Sequence, residues 1–181
     1  MADALRPYQH AAPLWELSHR GDKAASPIAD RHYNRQHVGS PQFVPPGRCI
    51  VLLTPDRGAL WVTSWPFAQY VKHAWAGAWV CSLFRRERGA PASVLISAAV
   101  AATRAIYGDP PAQGFVTFID RKKVTPIMRR GVPVWGYTWL RCGWHVAGET
   151  KGGLLALALP YAALAAVAPL PPATKQAALN V

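Results

Sequence analysis

The chain has 181 residues, 51% of them hydrophobic, with eight tryptophans, which is enough to bury one sizeable core and excludes a disordered tail. Twenty lysines and arginines against nine acidic residues give a net charge of +11, a balance that points to a polyanionic partner, nucleic acid before membrane. Cys49, Cys81 and Cys142 are odd in number and lack CxxC spacing, so free thiols in a reducing cytoplasm are expected, while no apolar run of about 18 residues is present to span a bilayer.

Residues 1–25 read as a polar lead-in whose one apolar patch, Pro13-Leu14-Trp15 with Leu17, is expected to latch onto the domain. Ser26-Pro27 is a helix start, with serine as cap and proline in the first turn, and predicts a short helix over 26–35. Asp30, Arg31, His32, Asn34 and Arg35 leave that helix a poor apolar stripe, so packing alone does not account for its composition. A proline-rich loop over 39–47 is long enough to be functional. Strands are expected over 48–54 and 59–65, joined by the turn Pro55-Asp56-Arg57-Gly58 and pairing antiparallel. Residues 66–76 connect them to the centre of the chain and carry Tyr70, Lys72, His73 and Trp75.

That centre runs from 76 to 120. The apolar run over 77–84 suits a strand covered on both faces, and 85–91 reads as a charged loop. Leu95, Ala98, Ala99, Ala102 and Ile106 have helical spacing over 92–107, with Ile96 and Val100 making the helix apolar nearly all round. Gly108-Asp109-Pro110-Pro111 stops it, and a second strand follows over 114–120. Strands linked by such a helix normally pair in parallel, which places the loop after the first at the carboxyl edge where α/β sheets bind ligands.

After Asp120 the chain turns basic through Arg121, Lys122, Lys123, Arg129 and Arg130, with Pro126 and Pro133 as interruptions. A short helix is expected over 135–142, ending at Gly143, then strands over 144–150 and 154–159 around the turn Lys151-Gly152-Gly153. Trp61, Trp79, Trp139 and Trp144 are assigned to the core. Residues 161–181 read as an Ala/Pro-rich tail, frayed from 167 onward. The result is one α/β (α+β) domain over 26–160 with a mixed central sheet and flanking helices.

This order of strands and helices resembles the GNAT acyltransferase fold, and the resemblance is sharpest from Tyr137 to Gly148, where a short helix ends at a glycine before an aromatic residue and a strand. It implies a donor site at 86–93, with Arg86, Arg88, Gly89 and Ser93 as candidate contacts to acetyl-coenzyme A or another small-group donor. Arg86-Glu87-Arg88-Gly89-Ala90-Pro91 departs from the family's phosphate loop by placing a proline, which has no amide, at its last position. From the residues alone the stretch reads equally as a solvated basic loop, and Ser93 as a helix cap.

Asp30-Arg31-His32-Tyr33-Asn34-Arg35, Gly39-Ser40-Pro41-Gln42-Phe43, Pro45-Pro46-Gly47, Phe118-Ile119-Asp120 and 148–154 (GETKGGL) together resemble the Mom-like phage DNA-modification proteins, GNAT relatives that modify the exocyclic amine of adenine and shield DNA from restriction. The resemblance covers about residues 26–159. It implies a bacteriophage origin, action in the host cytoplasm, double-stranded DNA as partner, and transfer of a small acyl or carbamoylmethyl-type group.

The chemistry agrees in outline. An adenine amine is a poor nucleophile, so the base must be extracted, held against aromatic surface and relieved of a proton. Asp120, at the end of the second core strand, is a candidate for that proton or for gripping the amine, or else caps a turn. His32 and Tyr33 are candidates for proton transfer or stacking, or else form a structural hydrogen bond. Arg31, Arg35, Lys122, Lys123, Arg129, Arg130 and Lys151 are candidate DNA phosphate contacts, although each alone could be solvated, and Glu149 could pair with Lys151. No full ligand set is visible, so no metal is assigned. Two other classes remain open: an ordinary GNAT N-acetyltransferase on a small amine or protein, and a non-catalytic basic DNA-binding protein.

Overall fold

Of the two expected hairpin strands, β2 (Cys49–Leu53) and β3 (Ala59–Ser64) form in antiparallel register, Leu52 opposite Trp61, in a computed structural model that describes residues 13–174. Before them lie β1 (Glu16–Ser18) and α1 (Ser26–Asp30). After them come a 3-10 turn (Ala68–Tyr70), β4 (Trp79–Arg86), α2 (Ala92–Tyr107) and β5 (Phe115–Ile119). The chain continues as β6 (Ile127–Arg129), β7 (Val132–Val134), α3 (Tyr137–Arg141), β8 (His145–Glu149), β9 (Leu155–Leu159), α4 (Tyr161–Ala165) and β10 (Ala173–Thr174).

Eight strands make one mixed sheet in the order β10-β1-β2-β3-β4-β5-β9-β8, while β6 and β7 form a separate hairpin. This is the expected α+β class, and β4 and β5 pair in parallel around the α2 crossover. Among the described residues no helix is long and apolar enough to cross a membrane.

Period-two alternation sends side chains to the two faces of the sheet. Trp61, Trp79, Phe115, Leu157 and Trp144 pack under α2, whose Leu95, Ile96 and Ala99 are fully buried. Truncating one such leucine to alanine costs about 3 kcal/mol. On the other face Val51, Leu53, Leu60 and Val62 meet Ile28 and Ala29 of α1 with Phe43 and Val44 of the proline-rich loop. Trp61, Trp79 and Trp144 are core as expected, whereas Trp139 is only partly buried.

Several expectations need correction. The helix at 26–35 ends at Asp30, because the Asp30 carboxylate turns to the Arg35 guanidinium at 2.7 Å and to the Gly39 amide at 3.1 Å. Ser26 does not cap it; its hydroxyl bonds the Asp22 carbonyl, though Pro27 does sit in the first turn. β4 runs through Arg85 and Arg86, residues expected in a loop, because the strand stays paired with β3 at the sheet's end. The β6–β7 hairpin went unforeseen, its strands being three residues long with Pro133 inside one of them. Residues 167–174 are not frayed: the Leu170 amide bonds the Ala101 carbonyl, and Ala173 pairs with Glu16 of β1; before them Leu164 is fully buried. The apolar patch of the lead-in latches onto the domain as expected, with Trp15 buried and its indole donating to the Leu95 carbonyl. Residues 1–12 and 175–181 of the expected lead-in and tail lie outside the described residues.

Candidate functional site

β4 and β5 pair only from Trp79–Phe115 to Cys81–Thr117. Beyond that point β4 follows β3 and β5 follows β9, so the two parallel strands part. A bulge marks the place. Val62 pairs with Leu83 and Thr63 with Cys81, which leaves Ser82 without a place in the register. An extra residue bends a strand and inverts the facing of the residues beyond it. Trp79 and Cys81 face the α2 side, and after the bulge it is Phe84, not Leu83, that does so. The Thr117 hydroxyl donates to the Cys81 carbonyl at 3.1 Å at the apex of the parting.

A cleft of about 280 Å³ opens there. Ser82, Leu83 and Phe84 form one wall, Thr117, Phe118 and Ile119 the other, and Ala92 and Ile96 of α2 reach in from one face. Val124, Thr125, Ile127, Val134, Tyr137, Thr138 and Trp139 close the far side. Gly136 is what lets this segment come so close. Its φ is +68°, and a Cβ there would overlap Leu157 Cδ1 and lie 2.8 Å from Ile119 Cδ1.

The remaining wall is His32-Tyr33-Asn34, in the turn just past α1. The Tyr33 hydroxyl donates to the Phe118 carbonyl of β5 at 3.2 Å, and Asn34 Nδ2 donates to the Ser82 carbonyl of β4 at 2.8 Å. The tripeptide therefore bridges the parted strands and satisfies carbonyls that a continuous sheet would have paired. His32 stacks on Tyr33 with centroids 4.5 Å apart, and its Nδ1 lies 2.5 Å from Asn34 Oδ1. Burial holds the His32 imidazole below its ordinary pKa, against the opposing pull of Asn34, so it is neutral at pH 7. Burial likewise raises the Tyr33 phenol, which stays protonated and acts as a donor at neutral pH.

Glu87 pins this turn to β4. Its carboxylate bonds Arg31 Nε at 2.6 Å and Arg85 Nε at 2.8 Å, while Arg85 also donates to the Arg31 carbonyl. These two guanidinium groups, Arg31 first, hold the Glu87 carboxyl down at about 2.

The expected site residues do not all meet. His32 and Tyr33 line the cleft, and Asp120 stands outside its lining, near enough to Tyr33 to help raise the phenol. The Asp120 carboxylate accepts the Lys122 amide at 3.0 Å, the turn-capping alternative. Arg35 is no phosphate contact: its side chain is 9% exposed and bonded to Asp30 and to the Ser40 carbonyl. Lys122, Lys123, Arg129, Arg130 and Lys151 are exposed. Glu149 pairs with Arg121 at 2.5 Å rather than with Lys151; Arg121 lies in the turn that follows β5, the strand two places from β8 in the sheet.

The donor candidates are otherwise engaged. Arg86 folds back on its own loop, Nε to the Ala90 carbonyl at 2.7 Å and Nη2 to the Gly89 carbonyl at 2.9 Å. Arg88 bonds the Asp56 carbonyl, and the amides of Glu87 and Arg88 both bond the Gly58 carbonyl. Those amides are therefore not open to a pyrophosphate. Gly89 takes φ +85°, and a Cβ there would lie 2.9 Å from Asp56 Oδ2. Ser93 makes no capping bond; Pro91 holds the N-cap position of α2, and the Ser93 carbonyl takes the Cys142 thiol. Ala92 lies at the cleft, where the first-turn amides of a helix lack intrahelical partners.

Sequence reasoning missed Asn34, Ser82 and Thr117. Asn34 was legible as an unusual polar residue beside His32 and Tyr33, whereas the bulge at Ser82 has no mark in a run that otherwise reads as continuous strand.

No family model, no curated protein and no solved structure matches this chain.

Proposed function

We propose that the chain is a Mom-like DNA-modifying transferase of GNAT type, which places a small acyl or carbamoylmethyl-type group on the exocyclic amine of adenine. The observation that carries this reading is the cleft where β4 and β5 part, with His32 and Tyr33 on its wall and Lys122, Lys123, Arg129, Arg130 and Lys151 exposed on the segments that follow β5 and β8. Its aromatic groups, Tyr33, Phe84, Phe118, Tyr137 and Trp139, offer faces to an extracted base.

In this reading the amine nitrogen bonds to the transferred carbon as that carbon leaves its carrier, and the nitrogen gives up one proton. His32, neutral and on the cleft wall, takes that proton. Tyr33, protonated at neutral pH, stacks on His32 and orients it. Asp120 works from the rim by holding the 120–124 turn. The first turn of α2 at Ala92 would receive the donor's anionic part. Acetyl-coenzyme A remains one such donor, bound without the pyrophosphate loop first expected.

The test is protection. DNA from cells producing the chain should resist nucleases whose sites contain adenine, and DNA from cells producing His32→Ala should be cut. Equal cutting of both overturns the reading.

A further inference from the structure

We propose that the β6–β7 hairpin is a reading arm that enters the major groove of duplex DNA beside the target base. The inference rests on the transferase reading for its substrate but on separate observations for its geometry.

Among the described residues the hairpin pairs only with itself, Ile127 with Val134 and Arg129 with Val132, and stands apart from the main sheet. An isolated two-stranded hairpin is marginal in water, so its footing matters. The Trp135 indole donates to the Val124 carbonyl at 2.9 Å at its base, and the Arg129 guanidinium stacks 4.4 Å from the Tyr137 ring centroid. Beyond that footing it is bare. Met128 is 60% exposed, Val132 59% and Ile127 47%. Three large apolar side chains this open on one short ribbon want a covering surface.

Charge says which surface. Arg130 forms the corner of the turn, and Lys122 and Lys123 lie a few residues before the arm, all exposed on a chain of net charge +11. Arg130 has φ +50° and Gly131 φ +79°, the two left-handed positions of a two-residue hairpin turn. Asn-Gly suits that corner without strain, yet the chain puts an arginine there. A charged tip with apolar flanks matches a groove walled by phosphate and floored by base edges.

Size says which groove. Three residues at about 3.4 Å each give an arm of about 10 Å, comparable to a major groove about 8.5 Å deep and about 12 Å wide, whereas the minor groove, about 6 Å wide, is too narrow for a ribbon. The adenine amine also faces the major groove. Ile127 and Val134 line the cleft at the root of the arm, so a base drawn from beside the tip has a short path to His32. Arg130 then reads a neighbouring base, guanine being its best partner, and Met128 packs on base edges.

The test compares the whole protein with Arg130→Asn, which keeps the turn, and Met128→Ser. Both positions are exposed, so thermal unfolding should not change. Affinity is read by fluorescence anisotropy on a labelled duplex and on the same strand unpaired, across a salt series. Each variant should bind the duplex about ten-fold more weakly with the salt slope nearly unchanged, since base contacts rather than phosphate contacts are lost, and neither should alter binding to the single strand. Arg130→Asn should also flatten the preference for the base beside the modified adenine. Unchanged duplex binding in both variants overturns the proposal. So does a loss confined to anionic lipid vesicles, or a dimer of the chain that the variants dissolve. If the wild type binds duplex through the arm yet leaves adenine unmodified, the reading arm stands and the transferase reading falls.

Discussion

Three adjacent side chains share out the work at the parting of β4 and β5. Tyr33 takes the Phe118 carbonyl, Asn34 takes the Ser82 carbonyl, and His32 stacks on Tyr33 at the cleft wall. On the proposed chemistry, His32→Ala should lower the modification rate by about 10² to 10⁴ while leaving duplex affinity within about two-fold. A rate near wild type would remove His32 from the chemistry. The pH dependence has a defined sign. A base must be unprotonated, and burial depresses the His32 pKa below 6.5, so the acid limb of the rate should lie below pH 6.5 with a plateau through neutrality. An acid limb above pH 7 would contradict this. Glu87 has its own window. Its depressed carboxyl contributes stability that is present above pH 4.5 and is lost as pH falls toward about 2. Glu87→Gln should abolish that acid sensitivity in thermal unfolding, and it should slow modification by freeing the turn that carries His32.

At the scale of elements, the packing turns on two close approaches and one ion pair. An alanine at Gly136 would drive its Cβ into Leu157 and Ile119 at a left-handed φ, so Gly136→Ala should destabilise by about 2 kcal/mol or more and loosen the cleft's far side. A melting temperature within a degree of wild type would mean that α3 can shift at no cost. Arg35 holds α1 to the loop at 39–42 through Asp30, Ser40 and Gln42, so Arg35→Ala should cost about 2 kcal/mol and leave the salt slope of DNA binding untouched. The elements legible in the sequence were those with strong periodicity. α2 was found at both ends because its apolar spacing is flanked by prolines, and β2, β3, β5 and β9 because they are mostly apolar runs bounded by turn residues. α1 was overextended because nothing in its composition says that Asp30 will bond Arg35 instead of the next helical turn. β6, β7 and β10 are two or three residues long, and pairing rather than propensity makes them strands. Of the site, His32 and Tyr33 were visible as odd residues for a packing helix. The engagement of Arg88 and of the Glu87 and Arg88 amides depended on Asp56 and Gly58, some thirty residues away, which only the folded chain brings near.

For the molecule as a whole, the sheet separates two tasks. Below the parting, β4, β5 and α2 enclose a dense aromatic core, with Trp61, Trp79 and Phe115 in edge contacts about 6 Å apart. Above it the strand ends, the β6–β7 arm and the β8–β9 turn carry the exposed cations to the same side as the cleft. On the proposed reading, the excess of eleven positive charges draws DNA toward that side, and the parted strands receive one base from it. The most direct measurement is mass spectrometry of nucleosides from the DNA of cells producing the wild-type chain or His32→Ala. The account predicts a heavier deoxyadenosine in the first sample, absent from the second, with an added mass that identifies the transferred group. Unmodified deoxyadenosine in both would contradict it and leave a basic DNA-binding protein in its place.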